Sequence, residues 1–347
     1  MVDLALGLLS GFAKADPEQV CFVRTGLGAA SLNQDIRVSV GSLLRKFVSG
    51  TVIVMPALTA GTDYAVYVCA DGSVRADASF SAPTGYTAAN SRKIGGFYYG
   101  PGSMASAQAG GDTTPQILAH SFWDLKWRPR CPDPRGMGFV SASVGWVDLW
   151  PLGVNWITDG TSRMGAIIAD GASPPKKPLD RGGNGATAYS SLTQYEATEI
   201  FHAVGKTLLS YAEFQAAAYG TTEEISRGND PVTTGFATTN AGSSNADQKF
   251  TSAYMYMASG VQWWWSRDLL YRADGADAVS ITAYSWKGTG RGSAYTQGSN
   301  GIVAGRLGGI WGDGSNCGSR ASDWYSAPWG SYSGIGARGR CDHLFHV

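Results

Sequence analysis

GGIWGDGSNCGSRASDWYSAPWGSYSGIGARGRCDHL, residues 308–344, decides how this chain is read. Trp311, Arg320, Trp324 and Trp329 stand in it as rigid, bulky anchors separated by runs of Gly, Ser, Asp and Asn, an odd composition for a core. One physical reading is a surface of irregular loops held by those anchors, with the intervening side chains supplying contacts instead of stability, because binding residues concentrate on loops carried by a rigid scaffold. A decorative Gly-rich loop has the same composition, and residue types alone leave the two readings side by side.

The same stretch contains a nucleotide-like pattern that fails on context. Gly334–Gly339 spells G-x-G-x-x-G, but a dinucleotide site needs a strand before it, a helix after it and an acidic residue ~20 positions on. Only eight residues follow Gly339, so the match is accidental. Lys287–Gly292 (KGTGRG) lacks the P-loop order and reads as a turn. His343 and His346 share a short terminal segment with Asp342, without a further ligand cluster nearby, and no metal site is expected. Nucleophilic catalysis is not expected either: no Ser sits in G-x-S-x-G, and Cys317 and Cys341 have no evident base beyond His343.

Composition narrows the class further. In 347 residues, 27 Lys+Arg balance 27 Asp+Glu and only 16% of positions are charged, which argues against a basic nucleic-acid binder. The length suggests two domains, and 44% hydrophobic content suffices for packed cores. Glycine, at 47 residues, is about twice its ordinary usage of ~7%, beside 12 Trp, 16 Tyr and 12 Phe. Such a mix suits short strands and tight turns, so a mostly β and loop protein is expected. Cys21, Cys69, Cys131, Cys317 and Cys341 lie far apart with no C-x-x-C pair and read as buried free thiols. Leu4–Ala13 lacks the positive flank of a signal peptide and reads as a strand or helix of the mature protein, and no run is long enough for a transmembrane helix. The chain reads as soluble.

From about Asp16 to Ser121 the pattern is strand, turn, strand. Thr51–Met55 and Asp63–Ala70 (DYAVYVCA) are β-branched or apolar runs. Asp71-Gly72 then predicts a type I′ hairpin into Ser73–Asp77, and Lys93–Gly100 predicts one more strand ending at Pro101. The N-terminal third therefore reads as a small β-sandwich. The proline-rich Pro129–Gly136 marks the domain boundary. Beyond it, Thr193-Gln194-Tyr195-Glu196 and Ser210-Tyr211-Ala212-Glu213 fit the capping box and predict two helices that pack against a sheet. Ile200, Ala203 and Val204 give the first its apolar stripe, Tyr211, Phe214, Ala217 and Ala218 the second, with Gly205 and Gly220 as stops. Gly228–Lys249 is long for a structureless loop and is expected to be functional or mobile. Trp263, Trp264 and Trp265 cannot all face one side of a strand: two are expected in the core, with at least one behind the sheet or exposed for recognition. Short strands are expected at Val279–Trp286 and Gly301–Ala304.

Residues 308–344 closely resemble the variable region of the major tropism determinants of Bordetella phage. Pro56–Asp77, Ser81–Ser103, Leu152–Ser162, Glu213–Glu223 and Gly336–Leu344 resemble that family in the same order. The resemblance implies an α+β chain, mostly β and loop. Residues 1–130 would form an N-terminal β-sandwich, and residues 131–347 a C-type-lectin-like, variable receptor-binding domain with two helices. It implies a non-enzymatic receptor-binding protein at the phage tail-fibre tip, in the virion or encoded by a prophage. Its partners would be a host cell-surface receptor of protein, two further copies in a homotrimer and other phage tail proteins, with no cofactor, no nucleic acid and no membrane insertion. A diversity-generating retroelement would rewrite selected codons by mutagenesis at template adenines.

Carried over by position, the rewritten, receptor-binding sites are Ile310, Gly312, Asp313, Gly314, Asn316, Asp323, Tyr325, Ser326, Gly330, Tyr332, Gly334 and Ile335. Trp311, Arg320 and Trp324 are the expected scaffold support beneath them. A codon of the AAY type with both adenines randomised cannot give Trp, Lys, Glu, Gln or Met, and none of these occurs at the twelve sites. The same fold also carries formylglycine-generating enzymes, which would need Cys317 and Cys341 as a reactive pair, and calcium lectins, for which Asp313, Asn316 and Asp323 are the available oxygen donors. The sequence departs from the family at Val261–Arg272, which is expected to reshape the rim of the binding face or the subunit contacts. It also begins where the family's sandwich begins, so attachment through the family's preceding small β domain is not expected.

Overall fold

A computed structural model describes residues 11–240, 245–272, 285–296 and 301–344. The chain divides into two compact units, one of residues 1–103, 114–130 and 343–347, the other of residues 104–113 and 131–342. Both are built mostly of short strands, with few and short helices.

In the first unit, Phe12–Lys14, Ile36–Val40 and Leu43–Phe47 form a three-stranded sheet. Trp123–Asp124, Ser91–Gly100, Thr62–Cys69 and Val74–Asp77 form a second in that order, with Gln116–Ile117 also on Ser91–Gly100. Phe22–Gly26 and Ala29–Leu32 make a separate hairpin. Phe12, Ile36 and Val38 from the first sheet, Val66, Val68 and Phe97 from the second, and Phe22 and Leu32 from the hairpin share one core. The Thr62–Cys69 strand is apolar on both sides because both are covered: Ala65, Tyr67 and Cys69 pack beneath Phe80 and Tyr86 on the other face.

Three local expectations change. Thr51–Met55 is not a regular strand: Val52 makes a single bridge to Ser31 and Val54 a single bridge to Arg75, so the segment passes from one partner to another without a ladder. The Asp71-Gly72 turn is not type I′. Cys69 pairs with Ser73 across a three-residue loop, and only Gly72 is left-handed, at φ +90°. The end of the Leu4–Ala13 run that is described enters the strand beginning at Phe12, and its earlier residues lie outside the described ones.

The second unit holds a four-stranded antiparallel sheet in the order Met137–Ser141, Gly145–Asp148, Gly339–Cys341, Thr207–Leu208. Its six-stranded mixed sheet runs Ser285–Gly288, Ser293–Thr296, Ser322–Asp323, Gly301–Leu307, Trp263–Arg272, Ile335–Gly336. The Lys287–Gly292 motif lies in the hairpin joining the first two of these strands, closed by Thr289 N–H donating to the Gly292 carbonyl at 2.9 Å. Residues 279–284 of the expected Val279–Trp286 strand lie outside the described ones.

Helices Gln194–Ala203 and Tyr211–Ala217 begin at complete capping boxes on Thr193 and Ser210. The Glu196 and Glu213 carboxylates accept from their own N-cap N–H groups at 2.6 and 2.8 Å. The first helix buries Ala197, Ile200 and Phe201 against Trp263 and Trp265; Ala203 is exposed and does not belong to the stripe. Gly228–Lys249 is pinned over its described length. Asp247, almost fully buried, accepts from Arg227 at 3.0 Å and from Ala237 N–H and Asn240 Nδ2 at 2.8 Å. Among the described residues no helix is long and apolar enough to cross a membrane.

Thr193→Ala and Ser210→Ala each remove one capping hydroxyl and are expected to lower the unfolding free energy of this unit by about 1 kcal/mol in urea titrations. Unchanged midpoints would show that tertiary packing alone sets the helix starts.

Candidate functional site

The floor of the site is the strand that starts with three tryptophans. Side chains alternate across a strand, so Trp263 and Trp265 face the helix-covered core while Trp264 faces away. All three are buried, at 3%, 1% and 1% exposure: two sit in the core as expected, and of the two alternatives for the remaining one, burial behind the sheet is what Trp264 shows. Trp265 Nε1 donates to the Leu192 carbonyl at 3.0 Å and Trp264 Nε1 to the Ala258 carbonyl at 2.8 Å. Arg338 lies 5.2 Å from the Trp264 ring, fully buried, and donates to the carbonyls of Asp148, Tyr256 and Met257. Burial pulls its pKa down to about 9, opposed by the charge of Asp148.

On this floor the 308–335 segment runs as turns and short strands. Asp313 folds back to accept from Ile310 N–H at 3.1 Å, and a single 3-10 turn follows at Gly314–Asn316. Burial raises the Asp313 carboxyl above its ordinary range. Cys317 is buried and donates to the Ile310 carbonyl at 3.2 Å. Glu223 clamps the next turn, accepting from Ser319 N–H at 2.8 Å and Ser319 Oγ at 2.6 Å. A Cβ at Gly318 would come within 2.3 Å of both Glu223 Oε2 and the Arg291 carbonyl, so only glycine fits there. Farther on, the Pro328 carbonyl accepts from Gln194 N–H and Ser331 Oγ from Leu192 N–H, both at 3.0 Å, tying the loop to the start of the first helix.

The twelve expected contact positions do not behave alike. Gly312, Tyr325 and Tyr332 are exposed, and Ile310, Asp313, Gly314, Asn316, Ser326 and Gly330 are half-buried. Asp323, Gly334 and Ile335 are buried, so the expectation that they face outward is corrected. Ile335 is held in a parallel strand pair beside Trp263, and Gly334 offers its carbonyl to Trp263 N–H at 2.9 Å. Asp323 is drawn inward by a cation: its Oδ2 accepts from Arg306 Nη2 at 2.6 Å, and its Oδ1 from Tyr325 N–H at 2.7 Å.

The expected supports differ too. Trp324 is half-buried, edge-on to Tyr211 at 5.9 Å, with Nε1 donating to Ser322 Oγ at 3.0 Å. Trp311 is half-buried, and its carbonyl accepts from Gly228 N–H at 2.9 Å. Arg320 is exposed and, among the described residues, is held through its backbone, its N–H donating to the Arg291 carbonyl at 3.0 Å and its carbonyl accepting from Tyr211 Oη at 3.2 Å. The buried arginine under this surface is Arg306.

Arg306 was not singled out by the sequence, although a lone arginine in an apolar strand, IVAGRL, is the mark of a buried charge seeking a partner. Its guanidinium lies 5.7 Å from the Trp263 ring and 5.5 Å from the Tyr332 ring, and Nη1 donates to Tyr332 Oη at 2.7 Å. A line of rings continues outward, Trp263 stacked on Trp286 at 6.4 Å, Trp286 tilted at 47° against Tyr295 at 4.8 Å, and Tyr295 edge-on to Tyr325 at 6.4 Å. Trp286 and Tyr295 were also missed, because only pairing places their hairpin beside Ser322–Asp323.

The arrangement suits contact, not catalysis. Cys317 and Cys341 do not form a reactive pair: Cys317 serves the Ile310 carbonyl, while Cys341 Sγ accepts from Cys131 N–H at 2.9 Å. Burial raises the Cys317 thiol, the opposite of nucleophile activation. The Asp323 oxygens are taken by Arg306 and Tyr325 instead of converging with Asp313 and Asn316 on a cation. His343 lies against the Trp127 ring at 4.2 Å in the first unit, and His346 lies outside the described residues.

A family model described as "Mtd second domain" matches residues 20–124. The tail fiber receptor-binding protein of Bordetella phage BPP-1 is 48% identical over 337 residues, which cover 96% of this chain and 85% of that protein. Among solved structures, the Major Tropism Determinant U1 variant is similar at a TM-score of 0.84 and 48% identity, over 96% of this chain and 86% of its own. The M1 variant matches with the same score and identity over 97% and 86%.

Arg306→Ala strands the Asp323 carboxylate in the interior and is expected to cost about 3–5 kcal/mol in denaturant unfolding, whereas Tyr325→Ala should stay within about 0.5 kcal/mol. Equal losses in the two variants would mean that Tyr325 is part of the core.

Proposed function

This chain belongs to the family of major tropism determinants, the receptor-binding proteins of phage tail fibres, and from that premise we propose that its 308–335 surface is the part that meets the host receptor. It works in the virion as a tail fibre receptor-binding protein and is not an enzyme. The observation that carries the location is the exposure of Tyr325, Trp329 and Tyr332 on one loop segment above a floor of buried tryptophans and Arg306. Exposed aromatics with little rotamer freedom are the usual anchors of an interface.

In this reading, Ile310, Gly312, Asp313, Gly314, Asn316, Tyr325, Ser326, Gly330 and Tyr332 supply contacts, while Asp323 acts from beneath through Arg306. Gly334 and Ile335 keep the strand beside Trp263 in place, and a polar residue at 335 would be selected against by folding. The first unit is a β-sandwich and the second a C-type-lectin-like domain whose last strand, Gly339–Cys341, returns to pair with an early one, Gly145–Asp148. A diversity-generating retroelement rewrites the contact codons. Supporting this, Gly318, Pro328 and Ser331, outside the rewritten set, make bonds that shape the loop. Each copy binds weakly, and a homotrimer raises the effective concentration at a cell surface that displays many receptors.

Tyr325→Ala is expected to lower phage adsorption to its plating host by tenfold or more, with the unfolding midpoint unchanged. Normal adsorption by that variant would move the receptor site elsewhere. A near-copy of the 3′ end of the gene differing only at adenines, beside a reverse transcriptase gene, is the expected genomic mark of diversification, and its absence would remove that part of the proposal.

A further inference from the structure

The Asp323 carboxylate occupies a place whose donors are arranged for an acid. Arg306 Nη2 and Tyr325 N–H bind its two oxygens at 2.6 and 2.7 Å, and the paired side chains of Asp323 and Arg306 are each 7% exposed. Tyr332 Oη accepts from Arg306 Nη1 at 2.7 Å, which leaves its own proton available to an additional acceptor. Arg306 Nε has no hydrogen-bond acceptor among the described residues. The guanidinium is held from both sides, by the Trp263 and Tyr332 rings and by a strand paired to Trp263–Arg272 on one edge and Ser322–Asp323 on the other. None of these restraints depends on the Asp323 side chain, so the cation stays in place when that side chain is removed, and the segment carrying the Tyr325 N–H is held on either side of it by Trp324 N–H donating to the Tyr295 carbonyl at 3.2 Å and Ala304 N–H to the Ser326 carbonyl at 2.9 Å.

We propose that Arg306, the Tyr325 N–H and Tyr332 form a carboxylate-binding site, and that the residue at 323 decides whether it is filled from within or by an acidic side chain of a protein receptor. With Asp at 323 the site is neutral and closed. An incoming acid would also face Asp313, whose carboxyl already feels the charge of Asp323. With a small neutral residue at 323, the same donors face the volume the carboxylate has left, and the surface gains a fixed cation that recognises acids. The receptor-surface reading above is needed only to name the natural occupant.

The site can be tested without any receptor, because formate is the group that Asp323→Ala deletes. The unsubstituted chain, its Asp323→Ala variant and the Asp323→Ala/Arg306→Gln double variant are melted in sodium formate and in sodium chloride at equal ionic strength. Asp323→Ala is expected to gain a saturable, formate-specific rise in Tm of about 3 °C, and the other two proteins none. No rise in Asp323→Ala, or an equal rise in the double variant, overturns the proposal. If Asp323→Ala does not stay folded in chloride, recovery of folded protein on refolding in formate supports the site, and failure in both salts overturns it. A formate response alongside normal adsorption by Tyr325→Ala would leave the carboxylate site standing and put the receptor-surface reading at fault.

Discussion

Three consecutive indoles can be buried only if both faces of their strand are covered, and that requirement organises the second unit. Trp263 and Trp265 need a helix-bearing face, supplied by Ala197, Ile200 and Phe201, while Trp264 needs an opposite face and finds Arg338 there. Both neighbours of the strand come from the carboxyl-terminal part of the chain, Gly301–Leu307 on one edge and Ile335–Gly336 on the other. The 308–334 segment is therefore a loop whose two ends are fixed to the same strand. Its middle can be rich in glycine and serine without losing its path, because closure of its ends is set by packing it does not itself supply.

A protein with so little regular structure still has to satisfy its buried backbone groups, and buried carboxylates do much of that. Asp124 accepts from Lys14 and from the N–H groups of Cys21, Lys126 and Trp127. Asp148 accepts from Lys206 and Gly339 N–H, and Asp247 from Arg227 and Ala237 N–H. In each case one acid accepts from backbone N–H and is neutralised by a cation at 2.6 to 3.0 Å. Asp323 with Arg306 and Tyr325 N–H is the same device placed at the surface loop. Desolvation makes such pairs poor sources of net stability against an apolar alternative, but each fixes a turn geometry that no apolar group could hold.

What was legible in the sequence was local. The capping boxes at Thr193 and Ser210 are written within four residues each, and both form as read. The Gly334–Gly339 match was dismissed for want of a following helix, and a strand follows instead, Gly339–Cys341. Beyond that range, structure depends on convergences that no local pattern records. Gly228–Lys249 looks structureless because its organiser, Asp247, is one acid among many until Arg227, Ala237 and Asn240 converge on it. Thr51–Met55 has strand composition but is shared between two partners, which no propensity records. Of the surface positions, Tyr325 and Tyr332 came from the family resemblance and stood out among its twelve sites by residue type alone, whereas the inward turn of Asp323 depends on an arginine on a neighbouring strand.

That arginine also limits how freely the surface can vary. Arg306 bonds both Asp323 and Tyr332, so changes at those two positions act on one shared group and their effects cannot be additive. Losing the acid alone leaves a buried cation without its counter-charge; losing the ring alone uncovers an ion pair to water. Replacing both leaves the cation as the most prominent feature of the centre of the loop surface. Gly312, with nothing near the place of a missing Cβ, carries no such coupling and can accept side chains of many sizes, whereas Gly314 has the same open space but a left-handed φ of +54° that strains any side chain placed there. The surface thus combines positions that vary independently with a pair that varies jointly, and the joint pair sets the sign of charge around which the others must be accommodated.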